Sequence, residues 1–252
     1  MAARAKKDES IFETIKTVVY ALLIAGVFRT LFFQPFWIPS GSMKDTLLIG
    51  DFLFVNKMAY GYSQHSCPFS MCPFSGRIFG SMPERGDVVV FRHPVNGADF
   101  IKRLVGLPGD KVQMKDGVLH LNDQPVDLAE VDPFVEVKET QGSQGSRPAC
   151  ANDPVGLGGR CVKERFTETL PGGVSHSILN IGTGPSDNTP AYVVPEGQFF
   201  FIGDNRDNSQ DSRYPQVGFV PEENIVGKAV RVWMSWDFPS MPNWSRIGNK
   251  VE

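Results

Sequence analysis

The stretch PSGSMKDTLLIGD, Pro39–Asp51, stands directly after an apolar, aromatic segment of the chain. Ser40 and Ser42 flank Gly41, where the missing Cβ lets the backbone turn or approach a ligand closely. If the segment is extended, a period of two places both hydroxyls on one side. The pair then offers one candidate nucleophile and one candidate donor to the oxyanion that the nucleophile generates. A flexible Ser-Gly-Ser loop is the alternative for an isolated match.

An apolar stretch upstream of this segment has the length of a membrane span. Basic residues near the N-terminus precede an apolar run from Val18 to Phe28. With one helical turn on either side, the run predicts a helix of about 28 Å, close to the hydrocarbon thickness of a bilayer. Because basic flanks stay in the cytosol, we predict a cytoplasmic tail over residues 1–14 and a transmembrane anchor over 15–34. A cleavable signal peptide is the alternative, but bulky Phe36 and Trp37 stand where small residues mark such a cleavage site.

Downstream of the anchor the pattern is that of an all-β protein. Short apolar runs predict strands at Phe52–Val55, Val88–Phe91 and Phe199–Ile202, and a hairpin over Lys111–Leu121 with Asp116-Gly117 at its turn. The 19 prolines and 25 glycines interrupt these runs at short intervals, as many short strands require. Residues 122–190 are richer in Gly, Ser, Pro and acids. We therefore predict a β core from residues 35–121 and 191–252, with a second lobe inserted at 122–190.

The net charge and the cysteine content limit the cellular compartment and the binding partners that the sequence allows. The net charge of the 252 residues is −3, so nothing indicates nucleic acid as a partner. Cys67, Cys72, Cys150 and Cys161 form two sequence-local pairs, and an even count fits disulfides outside the cytosol. Three connectivities are possible, of which local pairing is the simplest. A zinc site that combines His65 with the first cysteine pair is the alternative, but it lacks a fourth ligand.

A second chemical candidate lies in DFIKRLVGLPGD, Asp99–Asp110. On a strand, Phe100, Lys102 and Leu104 share one face. A lysine among apolar neighbours loses hydration, which lowers its pKa and yields a neutral amine that can act as a base. Arg103 points the other way, and we expect it to form a structural ion pair. A surface-exposed Lys102 is the alternative on the strand pattern alone.

The third informative stretch, GDNRDNSQDSR at Gly203–Arg213, follows the predicted strand Phe199–Ile202. So many polar residues at a strand end predict a hydrogen-bonded loop that fixes its own shape. A calcium loop is the alternative, but the spacing of its acids does not match an EF-hand.

A serine nucleophile usually has a histidine base, and none of the four histidines stands in a recognisable triad context: His65, His93, His120 and His176. A Ser–Lys pair is therefore the better candidate.

Taken together, these stretches resemble the bacterial type I signal peptidases. The parts that carry the resemblance are Pro39–Asp51 (nucleophile motif), Arg85–Phe91 (structural strand motif), Asp99–Asp110 (lysine motif) and Gly203–Arg213 with Gly218–Pro221 (last motif). Their order and approximate spacing also agree with the family. The resemblance covers the anchor and the β core, while the region 122–190 shows little.

The resemblance implies a role for each candidate residue. Ser42 is the nucleophile and Lys102 the general base, and Ser40 forms the oxyanion hole with the backbone amide of Ser42. Ser209 holds the Lys102 amine in line. The residues that brace the last motif are Asp204, Asp211 and Arg213.

The chain departs from the family pattern after Met43. Lys44 and Asp45 stand where many members have Met or Lys and then Pro, and we expect the turn after Ser42 to be looser without the proline. Lys44 is close enough in sequence to reach the hydroxyl in an extended chain. We expect it to be exposed near the membrane surface with an ordinary pKa, which leaves Lys102 as the base.

The resemblance also implies fold, activity and location. The expected fold is an all-β catalytic core with an inserted variable lobe, after one transmembrane helix. The expected activity is removal of signal peptides from exported preproteins after small-x-small sites, at the outer face of the bacterial inner membrane and without a metal or cofactor. The rivals are a membrane-tethered β scaffold and a processing peptidase with a narrow substrate set. The sequence does not indicate an oligomeric state.

Overall fold

The computed structural model describes residues 2–67 and 70–252, so Met1 of the predicted tail and the pair Pro68–Phe69 lie outside the described residues. The first element is helix α1, Ala2–Leu31. Its segment Ile11–Leu31 has a mean hydropathy of 1.8, is not buried against the rest of the protein, and is long and apolar enough to cross a membrane. One N-terminal helix therefore meets the requirements of the expected anchor.

The first strand of the main sheet follows helix α1 almost directly. Strand β1, Phe33–Trp37, pairs with β2, Asp51–Asn56. The helix ends at Leu31, before the predicted limit at residue 34, because the next residues already pair with β2. At its other end the helix begins at Ala2, so most of the predicted 1–14 tail continues the same helix.

Short strands form most of the regular secondary structure in the remaining described chain. In chain order after β2 they are β3 Tyr62–Ser63, β4 Arg77–Ile78, β5 Val88–Arg92, β6 Asp99–Gly106, β7 Lys111–Lys115, β8 Val118–Leu121, β9 Gln124–Pro125, β10 Asp127–Val137, β11 Arg160–Thr169, β12 Ser175–Asn180, β13 Tyr192–Val193, β14 Gln198–Ile202, β15 Val220–Pro221 and β16 Ile225–Ser235. The predicted all-β core and its single apolar helix are confirmed.

The largest sheet is antiparallel and has the strand order β1-β2-β16-β5-β6-β14-β15. Strands β10, β11 and β12, which all belong to the predicted insertion, form a separate three-stranded sheet. A third sheet has the order β13-β7-β8-β9, and β3 pairs with β4. The topology places β6 between β5 and β14, so Lys102 on β6 lies next to the strand that leads into the polar loop.

The apolar core packs against both faces of β5. Val88 and Val90 belong to one buried cluster, whereas Val89 and Phe91 belong to another. This explains why the strand is a continuous apolar run without alternation, since neither face meets water. The neighbouring β6 is likewise buried from Ile101 onward.

The local predictions for strands, hairpin and cysteines are confirmed. The hairpin turns at Asp116 and Gly117 with φ of 48° and 77°, the two positive values that a type I′ turn requires. Disulfides join Cys67 to Cys72 and Cys150 to Cys161, with Cα–Cα distances of 5.2 and 5.1 Å. The zinc alternative is wrong, because both of its cysteines are in a disulfide.

Candidate active site

A cleft of about 970 Å³ opens where three parts of the chain meet: the turn after β1, one face of β6 and the loop after β14. Ser40, Ser42, Lys102 and Ser209 all line it. The three motifs that are distant in sequence therefore contribute to one cavity.

Ser42 lies in a tight turn that burial of its neighbours holds in place. Met43 and Leu47 are fully buried in the core, and the Leu47 N–H donates to the Met43 carbonyl at 2.7 Å. Because these two side chains fill the core, Ser42 faces the cleft. The segment is a turn and not extended chain, so the expectation that Ser40 aligns with Ser42 by strand alternation is wrong, although both reach the cleft.

Lys102 lies within hydrogen-bonding distance of Ser42. The Lys102 Nζ is 2.7 Å from the Ser42 Oγ. Lys102 is 4% exposed and Ser42 is 7% exposed. The amine also lies 5.3 Å from the centre of the Phe100 ring, which shares its face of β6. A nucleophile and a nitrogen base in direct contact is the geometry that hydroxyl activation requires.

Burial lowers the pKa of Lys102 from 10.5 to about 8. Desolvation disfavours the ammonium form. The charges of Asp211 and Asp204 oppose this shift but do not cancel it. Neither carboxylate forms an ion pair with the amine, because both are paired with arginines. A substantial fraction of Lys102 is therefore neutral at a pH slightly above 7.

The Ile101 carbonyl contacts the Lys102 amine, whereas Ser209 does not. The amine donates to the Ile101 oxygen at 2.9 Å, which helps to direct it toward Ser42. Ser209 lines the cleft at 7% exposure, and its hydroxyl interacts with the Asp211 carboxylate, whose pKa it helps to lower, although not with standard hydrogen-bond geometry. The structure thus places Ser209 in the site without the expected contact to the amine.

The backbone amide of Ser42 is available to a ligand. No described group accepts a hydrogen bond from it, and the Ser40 side chain borders the same cleft. A backbone amide and a hydroxyl that border one cleft are the types of group that can donate to an oxyanion.

Asp204 connects the nucleophile turn to β6. Its carboxylate accepts two bonds from Arg103, both at 2.8 Å, and one from the Thr46 hydroxyl at 2.5 Å. Arg103 is 1% exposed, which confirms the predicted structural ion pair. Because Arg103 follows Lys102 directly, this bidentate pair fixes the strand position of the amine.

Asp211 and Arg213 fix the shape of the polar loop. Asp211 accepts the Gly203 amide at 3.0 Å and pairs with Arg213 through two bonds of 2.9 Å. A Cβ at Gly203 would lie 2.2 Å from the Ser209 Oγ and 2.6 Å from the Ser42 carbonyl oxygen. Glycine is therefore required where the loop passes the nucleophile. The calcium alternative does not fit, because arginines already pair these carboxylates.

Asn205 is a site residue that sequence reasoning missed. Its backbone N–H donates to the Ser42 carbonyl at 3.1 Å, and its side-chain amide donates to the Gly41 carbonyl at 2.8 Å. It is fully buried and so ties the polar loop to the nucleophile turn. In the sequence it was one of several polar residues in that loop, and nothing distinguished it from the others.

The exposed position expected for Lys44 is wrong. Lys44 is 4% exposed, and its amine contacts Glu136 at 2.6 Å and Gln141 at 2.7 Å. Burial lowers the pKa of Lys44, and the charge of Glu136 opposes that shift. The sequence could not show this, because Glu136 and Gln141 come from the insertion.

Histidines and metal clusters are absent from the described lining of the cleft. His93 accepts the amides of Val95 and Asn96 through its Nδ1, which is a local cap at the end of β5. His176 faces Glu168 at 3.3 Å. Neither lines the described cleft, where the nitrogen in contact with the Ser42 hydroxyl is that of Lys102.

Comparison with known proteins shows the family of this chain. The family described as signal peptidase, peptidase S26, matches residues 11–234. The signal peptidase I of Rickettsia typhi is 39% identical over 247 residues, which cover 92% of this chain and 85% of that protein. The signal peptidase I of Rickettsia massiliae is 42% identical over 234 residues, covering 87% and 80%.

The chain belongs to the peptidase S26 family of signal peptidases. As a family member it is a serine protease, and signal peptide removal from preproteins is the activity that membership supports. A solved signal peptidase I from Enterococcus faecalis is 25% identical and covers 59% of this chain and 97% of its own, with a TM-score of 0.31, which is too low to bear on the fold.

Proposed function

We propose that this protein is a membrane-anchored endopeptidase that removes signal peptides by a Ser–Lys mechanism. The observation that carries the proposal is the 2.7 Å contact between the Ser42 Oγ and the Lys102 Nζ, with the pKa of Lys102 lowered to about 8. At that pKa the amine is neutral often enough to accept a proton near neutral pH.

The first step is acylation. The neutral Lys102 amine takes the Ser42 proton as the oxygen attacks the scissile carbonyl, and its N–H bond to the Ile101 carbonyl keeps the lone pair directed at Ser42. The tetrahedral oxyanion accepts hydrogen bonds from the Ser42 amide and the Ser40 hydroxyl. Lys102 then donates its proton to the departing amine of the mature protein, leaving the signal peptide as an ester of Ser42.

The second step is hydrolysis of that ester. Lys102, neutral again, deprotonates a water that attacks the ester carbonyl, and the same donors stabilise the second tetrahedral intermediate. Collapse returns the proton to Ser42 and releases the signal peptide. Asp204, Asp211 and Arg213 brace the loop throughout, and Ser209 supports the amine once substrate closes the cleft.

The cleft suits a substrate with small side chains beside the scissile bond. Phe36, Ile49 and Ile101 border it, and apolar pockets sized for small side chains would exclude large ones. Phe36 lies on β1, only five residues after α1 ends. We therefore place the cleft at the outer surface of the membrane, with residues 1–14 in the cytosol and the β domain, with its inserted lobe at 122–190, outside.

The test is cleavage of a generic preprotein by the full-length protein in detergent, with Ser42→Ala as the inactive control. Cleavage after a small-x-small site, abolished when phenylalanine replaces the small residues, supports the proposal. Binding without cleavage would favour the scaffold, and cleavage of one preprotein alone would favour a narrow processing peptidase. Protease added to spheroplasts tests orientation, since protection of the β domain would contradict it.

A further inference from the structure

We propose that the inserted sheet β10–β12 is a positioning element of the active site, and that Asp45 couples it to the nucleophile turn. The proposal rests on the proposed function, because its kinetic readout is preprotein cleavage. Asp45 touches no reacting atom and acts through the turn that carries Ser42.

Two successive residues of the turn contact all three strands of the inserted sheet. The Asp45 carboxylate accepts a bond from Arg165 on β11 at 3.3 Å and from the Ser177 hydroxyl on β12 at 3.1 Å. The Lys44 amine contacts Glu136 on β10 at 2.6 Å. Ser42 is thus two or three residues away from side chains that contact this sheet, at partners that lie 92 to 132 residues further along the chain.

The same sheet also contacts the loop on the other side of the cleft. The Leu179 amide of β12 donates to the Asp204 carbonyl at 2.9 Å. Arg206 donates to the buried Glu168 of β11 at 2.6 Å. The sheet therefore contacts both segments that flank the Ser42–Lys102 pair, and a change in its position moves one segment relative to the other.

The contacts differ in how much stability depends on them. The Lys44 and Glu136 side chains are 5% and 12% exposed, and Glu136 also pairs with Lys163, so loss of Glu136 leaves two buried amines without their carboxylate and endangers folding. The Asp45 and Arg165 side chains are 25% and 31% exposed, and such pairs contribute little to stability. Asp45 and Arg165 are therefore the positions at which positioning can be separated from folding.

The experiment uses the full chain in detergent with Asp45→Ala, Arg165→Gln, the double variant, and Arg165→Lys, which keeps the charge. Small displacements of a reacting group are costly, so each single variant should lower kcat about 3- to 10-fold with KM within about twofold. The double variant should be no worse than the worse single one, because both remove the same coupling. Arg165→Lys should keep most of the wild-type kcat.

The matched control is Lys138→Gln, which breaks the ion pair between Lys138 and Asp153 in the inserted region, away from the cleft, and should keep the wild-type kcat. Hydrogen exchange gives a readout independent of activity: amides 41–47 should exchange faster in Asp45→Ala and Arg165→Gln, with the β5 and β6 amides unchanged. Unchanged kcat and unchanged exchange in both variants, or multiplicative losses in the double variant, would overturn the coupling. If the wild-type protein cleaves no preprotein, the proposed function is refuted. The hydrogen-exchange comparison then tests the coupling between the inserted sheet and the turn without a kinetic readout.

Discussion

Three buried lysines border the same cleft, and two of them differ in the groups that their amines contact. Lys44 and Lys102 are each 4% exposed, and burial lowers the pKa of both. Lys44 has a carboxylate 2.6 Å away, from Glu136. Lys102 has no acid in contact and instead meets a serine hydroxyl and a peptide carbonyl.

The difference shows what makes a lysine a base. An ammonium beside a carboxylate keeps its proton, because the pair stabilises the charged form. Burial alone would raise the pKa of Glu136, but the charge of Lys44 and the hydrogen bonds from Lys44 and Lys163 hold it below its usual value. The pair therefore acts as a structural contact. The amine of Lys102 is buried without such a partner and contacts Ser42, so we propose Lys102, and not Lys44, as the base.

The largest expected effect comes from replacing Lys102. Lys102→Met should lower kcat/KM for preprotein cleavage by about 10⁴-fold or more, as removal of either member of a nucleophile–base pair does. Ser42→Ala should match it. Lys57→Met is the control, because Lys57 is also buried, with a pKa lowered to about 8 by burial, but lies outside the cleft. Cleavage within about tenfold of wild type in Lys102→Met would remove Lys102 from the chemistry.

Ser40→Ala should have the next largest effect. Loss of one oxyanion donor lowers kcat by about 10²–10³-fold, and KM should change little because the donor acts mainly on the transition state. Single-turnover kinetics with the preprotein measure the step directly. An unaltered acylation rate would show that Ser40 plays no part in it.

The stability of the folded protein should also depend on the charge of Lys102. The folded-state pKa of Lys102 is about 8 against 10.5 in the unfolded chain, so its burial costs about 3 kcal/mol below pH 8. The cost fades as pH rises from 8 to 10.5. Lys102→Met should therefore be more stable than wild type at pH 6.5, and its advantage should shrink at pH 9.5. Thermal unfolding of the full chain at the two pH values measures this, and an advantage that grows with pH has the wrong sign.

Replacing Lys44 should have the smallest effect. Lys44→Met leaves Glu136 paired with Lys163 at 2.8 Å, and it should lower kcat no more than about tenfold, because no reacting group is lost. The pH profile of kcat/KM should keep the rising limb near 8 that Lys102 imposes. An upward shift of that limb, or a loss as deep as that of Lys102→Met, would make Lys44 part of the proton transfer.

Local pattern was sufficient to predict much of the fold. The apolar helix, the β5 run, the Asp116-Gly117 hairpin and the two local disulfides all follow from residues close together in sequence. Each depends on hydropathy, turn chemistry or short spacing, which a sequence displays directly.

Contacts with the insertion could not be predicted in the same way. Lys44 was expected to be exposed because its partner, Glu136, lies 92 residues away in the insertion. Asp45, in place of the proline of many members, was expected to loosen the turn, yet it accepts bonds from Arg165 and Ser177. Which surface the inserted sheet covers depends on tertiary packing, and no local pattern encodes it.

The central claim, that Lys102 is the neutral base, can be measured on the amine itself. The full chain, labelled with ¹³C at the lysine ε carbons and held in detergent, gives one resonance that is missing from Lys102→Met. Its chemical shift should titrate with a midpoint near 8, the value to which burial lowers the pKa of Lys102. A midpoint at the ordinary lysine value of about 10.4 would leave the amine protonated at neutral pH and would contradict the mechanism.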